Sequence, residues 1–305
     1  MKAFLIAGES SGDRLGVALM SGLKELAGNV TFDGVGGPLM GSEGLTSRFP
    51  MEELAVFGIL EVLPRYRHLK RRIREMAEAV ISSNPDVLIT IDSPDFSLRV
   101  ARLVKAASNV RTVHYVAPSV WAWRAGRAEK MARNIDQVLA LLPLEPPYME
   151  AAGMRCDFVG HPVATEQQAT KTEISAFRAR HGLGDAPVLM VLPGSRRGEV
   201  QRLAPTFGEA LRPVVAQTPE LRVVLPAAPI VASAVEQTSR NWPGHPVVLN
   251  PTAMREADAI AEKRAAFGAA NIALAASGTV SLELAAASTP MVIGYDMNWL
   301  SWQIM

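Results

Sequence analysis

The sequence predicts a parallel α/β protein made of two doubly wound domains, each a sheet with helices on both faces. Three observations carry this. Short, β-rich apolar runs alternate with longer segments of helical periodicity along the whole chain, the pattern of strand–helix–strand crossovers in a parallel sheet. The alternation breaks at the polar stretch ATEQQATKTE, Ala164–Glu173, and then restarts with a set of similar size. Finally, 305 residues suffice for two domains, and 49% hydrophobic with 20% charged residues is an ordinary globular balance.

In the front half, residues 1–163, the candidate strands are Ala3–Ala7, Val87–Ile91, Thr112–Val116, Gln137–Leu141 and Asp157–Val159. Phe96–Ala107 and Arg127–Asn134 read as helices between them. Ala164–Glu173 reads as a linker and the start of a new helix. The back half, residues 164–305, then offers strands at Val188–Leu192, Leu221–Leu225, Val247–Leu249, Asn271–Ala275 and Met291–Gly294, with a helix at Val280–Ala287. Two such sets imply two domains facing a cleft.

No apolar run is long enough to cross a bilayer, and Met1–Ala7 has neither the basic start nor the cleavage site of a secretory signal. The one cysteine, Cys156, excludes an internal disulfide framework and fits a reducing compartment, so a cytoplasmic location is expected. A net charge of +1 gives no general attraction to nucleic acid. Basic residues nevertheless gather at Arg65, Arg67, His68, Lys70, Arg71, Arg72 and Arg74, directly after the apolar stretch Leu54–Leu63. That segment reads either as a core helix running into a solvated basic one or as a face for an anionic bilayer.

Ligands of open α/β sheets sit beyond the carboxyl ends of the strands, so the turns just after strands carry the chemistry. The first is GESSGDRLG, Gly8–Gly16. Its glycines are spaced by four and no Lys follows, so it matches neither nucleotide-binding glycine motif. Glu9 and Asp13 would also repel a phosphate. It reads as a tight turn with Ser10 or Ser11 capping a helix, or as a turn that presents the Glu9 carboxylate at the strand's end.

The second, TIDSPDFS, puts Asp92 directly after a strand, with Pro94 and Asp95 suited to a helix's first turn. Asp92 is a candidate general base or a helix cap. The third, HYVAPSVWAWRAGR, offers Trp121, Trp123 and Arg124 as stacking and anion-holding groups, with core filling as the alternative for the indoles. His114, inside the strand, reads as a core imidazole.

The fourth turn, LPGSRR, suits a diphosphate: Gly194 permits close backbone approach, Ser195 donates, and Arg196 neutralises charge. The fifth, Ser277-Gly278-Thr279, opens a helix with unpaired N–H groups and hydroxyls, and Glu283 lies one turn inside, within reach of ribose hydroxyls. No constellation suggests a metal or cofactor: the histidines are scattered and the carboxylates lack ligand spacing. G-x-S-x-G is absent, which argues against a Ser hydrolase.

Taken in order, AGESSGD, IDSPDF, YVAPSVWAWR, GHP (Gly160–Pro162), LPGSR and ASGTVSLE resemble the motifs of the lipid-A-disaccharide synthases. The resemblance runs from the first strand to the last residues. It implies the GT-B fold, two Rossmann-like domains about a cleft. It also implies joining of UDP-2,3-diacylglucosamine to 2,3-diacylglucosamine 1-phosphate with release of UDP, at the cytoplasmic face of a Gram-negative inner membrane. By position, Glu9 and Asp92 become essential acids, Arg196 the holder of the diphosphate, and Ser277–Thr279 with Glu283 the holders of the rest of the UDP.

On this resemblance the front domain takes the acceptor and the membrane, with Trp121, Trp123, Arg124, Arg71, Arg72 and Arg74 as the acceptor and membrane patch. The residues then suggest an inverting displacement in which an acid, Asp92 or Glu9, deprotonates the acceptor's 6-hydroxyl, with Asp92 taken as the base. Ala117 stands where the family usually has serine. Family members also continue beyond the last strand with helices that exchange between subunits, so a sequence ending at Met305 reads as a fragment or a shortened gene, and a homodimer is expected only with that region present. Competing readings are another GT-B nucleotide-sugar enzyme, such as a UDP-N-acetylglucosamine 2-epimerase, and a non-catalytic remnant that binds UDP or membrane. A nicotinamide enzyme is disfavoured because neither half carries the dinucleotide fingerprint.

Overall fold

The computed structural model describes residues 1–54, 59–121 and 126–296, with the backbone alone at 59–65 and 256. The chain divides into two compact units, Met1–Pro162 and Val163–Met305.

Unit 1 runs β1 (Lys2–Ala7), α1 (Ser10–Ala27), β2 (Thr31–Val35), α2 (Pro38–Ser42), α3 (Ile59–Ser83), β3 (Val87–Ile91), α4 (Pro94–Ala107), β4 (Arg111–Tyr115), α5 (Gly126–Ala132), β5 (Gln137–Ala140), α6 (Pro146–Ala151) and β6 (Arg155–Phe158). Its strands form one parallel sheet in the order β2-β1-β3-β4-β5-β6. β1 is inaccessible to solvent from Ala3 to Ala7. A strand covered on both faces needs such an unbroken apolar run, and burying Phe4, Leu5 and Ile6 contributes about 1.5–3 kcal/mol each.

β2 carries no strand signal in the sequence. Its residues TFDGV include Asp33 and Gly34 and lie at the sheet edge, only partly buried. Pairing with β1, from Lys2↔Thr31 to Ile6↔Val35, makes it a strand. α3 is a 25-residue helix that absorbs the basic cluster and continues past it. It buries Ile73, Met76, Ala77 and Val80, the i, i+3, i+4, i+7 stripe of an amphipathic helix.

Unit 2 runs α7 (Lys171–Arg180), β7 (Val188–Leu192), α8 (Arg197–Gln217), β8 (Arg222–Pro226), α9 (Ala232–Ser239), β9 (Val247–Leu249), α10 (Glu256–Ala269), β10 (Ile272–Ala276), α11 (Val280–Ala286) and β11 (Met291–Gly294). The end of the polar linker is a capping box. The Glu173 N–H donates to Thr170 Oγ1 at 3.2 Å, and the Thr170 N–H donates to Glu173 Oε2 at 2.7 Å. The parallel sheet has the order β11-β10-β7-β8-β9. Alternation along β7 splits the core in two. Val188, Met190 and Leu192 join Phe177, Phe267 and Leu284 on one face, while Leu189 and Val191 join Val200, Leu203 and Phe207 on the other.

Strand order fixes where each unit can hold a ligand. In unit 1 the order reverses between the neighbours β1 and β3; in unit 2 it reverses between β7 and β10. Crevices open beyond the carboxyl ends of strands at such switch points.

Candidate active site

The unit 1 switch point brings together two turns that are distant in sequence. The register Ala7↔Ile91 sets Gly8–Glu9 beside Asp92–Ser93. Glu9 is the N-cap of α1, with extended backbone (φ −146°) and no side-chain capping bond. Neither Ser10 nor Ser11 caps the helix, because α1 already begins at Ser10. Asp13 is buried, and its carboxylate accepts the N–H groups of Gly37, Leu39 and Met40 at 2.9, 3.0 and 3.0 Å. Its negative charge therefore serves the first turn of α2 and is not presented to a ligand.

Asp92 is not the cap of α4; Ser93 is, also without a side-chain capping bond. Asp92 and Ser93 both have left-handed backbone, φ 52° and 46°, a conformation that costs a non-glycine residue about 1–2 kcal/mol. Hydrogen bonds hold the pair in place: the Asp92 N–H donates to the Tyr115 carbonyl at 3.0 Å, and Ser97 Oγ donates to the Asp92 carbonyl at 2.9 Å. Ser93 Oγ is buried without a hydrogen-bond partner. The next strand end is strained too, since the β-branched Val116 has φ 92°. Backbone strain gathered at one end of a sheet is typical of functional sites. Asp95 lies exposed in the first turn of α4.

Trp121 is 45% exposed and does not fill the core. Glu145, a buried acid that belongs to none of the sequence motifs, accepts the Leu142 N–H on its carboxylate at 2.9 Å. Burial pushes the Glu145 pKa up, while the Leu142 and Leu141 N–H groups and the Trp121 indole oppose the rise. Trp123 and Arg124 lie outside the described residues. His114 is a core imidazole, bonded to Thr90 Oγ1 at 2.7 Å and lowered by burial to about 4. Cys156 is buried, and its thiol is pushed up to about 11, chiefly by burial, so it is a poor nucleophile.

At the unit 2 switch point the turns after β7 and β10 are neighbours through Ala275↔Leu192. Gly194 has φ 120°, as a glycine-dependent turn requires. The loop's donors already have an acceptor. Glu199, in the first turn of α8, accepts the Ser195 and Arg196 N–H groups on Oε2 at 3.0 and 3.2 Å and Arg196 Nη1 on Oε1 at 2.9 Å. The bare face of Gly194 thus receives Glu199: a β carbon there would lie 2.6 Å from Glu199 Cβ. Ser277, Gly278 and Thr279 are exposed, and Thr279 caps α11 without a side-chain bond. The Ser277 N–H donates to the Gly294 carbonyl at 3.1 Å. Glu283 pairs with Lys263 of α10 at 2.5 Å.

Sequence spacing contains the signal for Glu199, an acid three residues past the cap residue Arg196. It contains none for Lys263, which lies on a different helix from its partner.

The basic cluster of α3 divides. Arg72 is not a free cation: it makes paired bonds to Glu53 at 2.8 and 2.9 Å, bonds Glu75 at 2.9 Å, and lies 4.4 Å over the Phe49 ring. Arg72 is the main cause holding Glu53 below its ordinary pKa, with His68 adding to it against burial. Arg67, Lys70, Arg71 and Arg74 are exposed at i, i+3, i+4 and i+7, one face of the helix, although Arg71 also lies 3.4 Å from Glu75 Oε1. Residues 55–58 of the apolar stretch, and the side chains through 65, lie outside the described residues. Among the described residues no helix is long and apolar enough to cross a membrane.

Two parallel sheets, each with its switch point flanked by polar turns, define a GT-B protein, the fold shared by glycosyltransferases and nucleotide-sugar epimerases. Solved structures agree on the fold. The UDP-GlcNAc 2-epimerase of Neisseria meningitidis bound to UDP-GlcNAc is similar with a TM-score of 0.67 at 11% identity, over 100% of this chain and 85% of that one. The enzyme of the same name from Methanocaldococcus jannaschii, in complex with UDP-GlcNAc and UDP, gives 0.62 at 12% identity over 96% and 83%.

The chain belongs to the lipid-A-disaccharide synthase family: the family's model, described as lipid-A-disaccharide synthetase, matches residues 3–305. A lipid-A-disaccharide synthase of Ruegeria pomeroyi is 66% identical over 304 residues, covering 100% of this chain and 76% of the relative. One from Rhodospirillum centenum is 50% identical, covering 98% and 73%.

Proposed function

We propose that this chain is an inverting glycosyltransferase that joins UDP-2,3-diacylglucosamine to 2,3-diacylglucosamine 1-phosphate and releases UDP. The observation that carries the proposal is the family match over residues 3–305. The fold alone does not separate a transferase from an epimerase; that match does.

The proposed division of labour gives unit 1 the acceptor and unit 2 the donor. Asp92, held by its clamped backbone beside Glu9, takes the proton from the acceptor's 6-hydroxyl as that oxygen attacks the donor's anomeric carbon. Glu9 is the second essential acid. In unit 2, Arg196 and the turn Ser277–Thr279 stabilise negative charge growing on the departing diphosphate, and Glu283 accepts hydrogen bonds from the ribose. Gly194 and Ser195 shape the loop that presents Arg196. Trp121, Trp123 and Arg124 are assigned to the acceptor.

The stripe Arg67, Lys70, Arg71 and Arg74 supports peripheral binding to an anionic membrane, where acylated substrates reside. Arg72, already ion-paired, supports the helix that carries the stripe.

UDP release from the two acylated glucosamines tests the proposal. Asp92→Asn and Glu9→Gln should each lower turnover by about 10²–10⁴-fold while UDP binding stays at the parent's level. Parental turnover in Asp92→Asn refutes the assignment of the base, and equal turnover of unacylated sugars refutes the lipid substrates.

A further inference from the structure

The loop after β7 already holds an anion. The Glu199 carboxylate binds both backbone N–H groups of the cradle and one guanidinium N–H of Arg196. Its side chain lies against Gly194, where a β carbon would be 2.7 Å from Oε2. This is the place and the donor set that a phosphate would take at a strand-to-helix turn. A diphosphate on the same donors would bring like charge within a few ångströms of the carboxylate, a repulsive arrangement. The Glu199 side chain is 23% exposed, so it has a way out toward solvent that does not bury its charge.

We propose that Glu199 is an internal stand-in for the donor's phosphate: it fills the cradle at the end of β7 when the site is empty, and the incoming diphosphate displaces it from Ser195 and Arg196. This rests on the assignment of Arg196 to the donor diphosphate. Glu199 then sets UDP affinity from within the protein. On release of UDP it returns to the same donors, which favours departure of the product. A purely capping Glu199 makes the opposite prediction, because removing it would loosen the loop and weaken binding.

Calorimetric titration of UDP and of uridine into the parent, Glu199→Gln, Glu199→Ala and Arg196→Ala separates these cases. With the competing charge removed, Glu199→Gln should bind UDP about tenfold tighter, with uridine, which brings no diphosphate, unchanged. Glu199→Ala should shift UDP affinity in the same direction. UDP affinity unchanged or weakened in both variants, with uridine binding intact, overturns the inference. The glutamine retains an amide oxygen for the loop N–H groups, and a melting curve for each variant confirms folding. Arg196→Ala binding UDP as the parent does would overturn the cradle assignment itself, an outcome distinct from failure of the Glu199 proposal.

Discussion

Gly8→Ala should disable the enzyme through Ser93, without touching either acid. A β carbon built on Gly8 lies 2.9 Å from Ser93 Cβ, closer still to Ser93 Oγ, and 3.4 Å from Leu54 Cβ. Carbon atoms rest about 3.5–4.0 Å apart, so Ser93 must retreat by roughly 1 Å. Its backbone is continuous with that of Asp92, and both residues sit in strained left-handed conformations fixed by the Tyr115 carbonyl and Ser97 Oγ. A displacement of that size in a reacting group costs about 10²-fold in rate, and overpacking costs about 1–3 kcal/mol of stability.

The compensating change is Ser93→Gly, which removes the obstructing side chain and suits a positive φ. The double variant should regain most of the lost rate and show a coupling of about 0.5–3 kcal/mol in urea unfolding. UDP release and urea denaturation on the parent, both single variants and the double measure these quantities. A Gly8→Ala enzyme turning over at the parental rate refutes the reasoning, as does a double variant no faster than Gly8→Ala alone.

Asp13→Ala leaves three helix-end N–H groups without their carboxylate, and should cost about 2–5 kcal/mol in urea unfolding with UDP affinity unaffected. His114 has a folded pKa of about 4 against 6.5 for the free group. The unfolded chain therefore takes up its proton first as pH falls. The associated stability is complete above about pH 6.5 and declines toward pH 4 by about 3 kcal/mol; a pH series of unfolding free energies should show that slope reduced in His114→Gln. Arg74→Glu should weaken binding to vesicles containing anionic lipid by about tenfold without changing the melting temperature. Arg72→Ala should lower the melting temperature through Glu53 and Phe49, and equal melting of the two variants would contradict the division of the α3 basic cluster.

Much of the architecture is legible in the residues. Val87–Ile91, Val188–Leu192, Val247–Leu249 and Met291–Gly294 begin and end where their apolar runs do, because a turn residue halts each run. β2 is not legible, since an edge strand containing Asp33 and Gly34 owes its conformation to β1. The candidate site is half legible. Glu9, Asp92, Arg196 and Ser277 stand out because each lies just past the carboxyl end of an apolar run. The part played by Asp13 does not, because its partners Gly37, Leu39 and Met40 belong to another turn.

Local periodicity and turn chemistry, which are properties of neighbouring residues, determined by themselves the α/β class, most of the strands and the polar turns at their ends. Strand order was decided only in three dimensions, and with it the adjacency of the turns that carry Glu9 and Asp92 and of those that carry Arg196 and Ser277. The pairing state of charges on different elements was decided there as well: Arg72 with Glu53, Lys263 with Glu283. A carboxylate's role depends on which donors surround it in space, and most of those donors come from other elements of the chain.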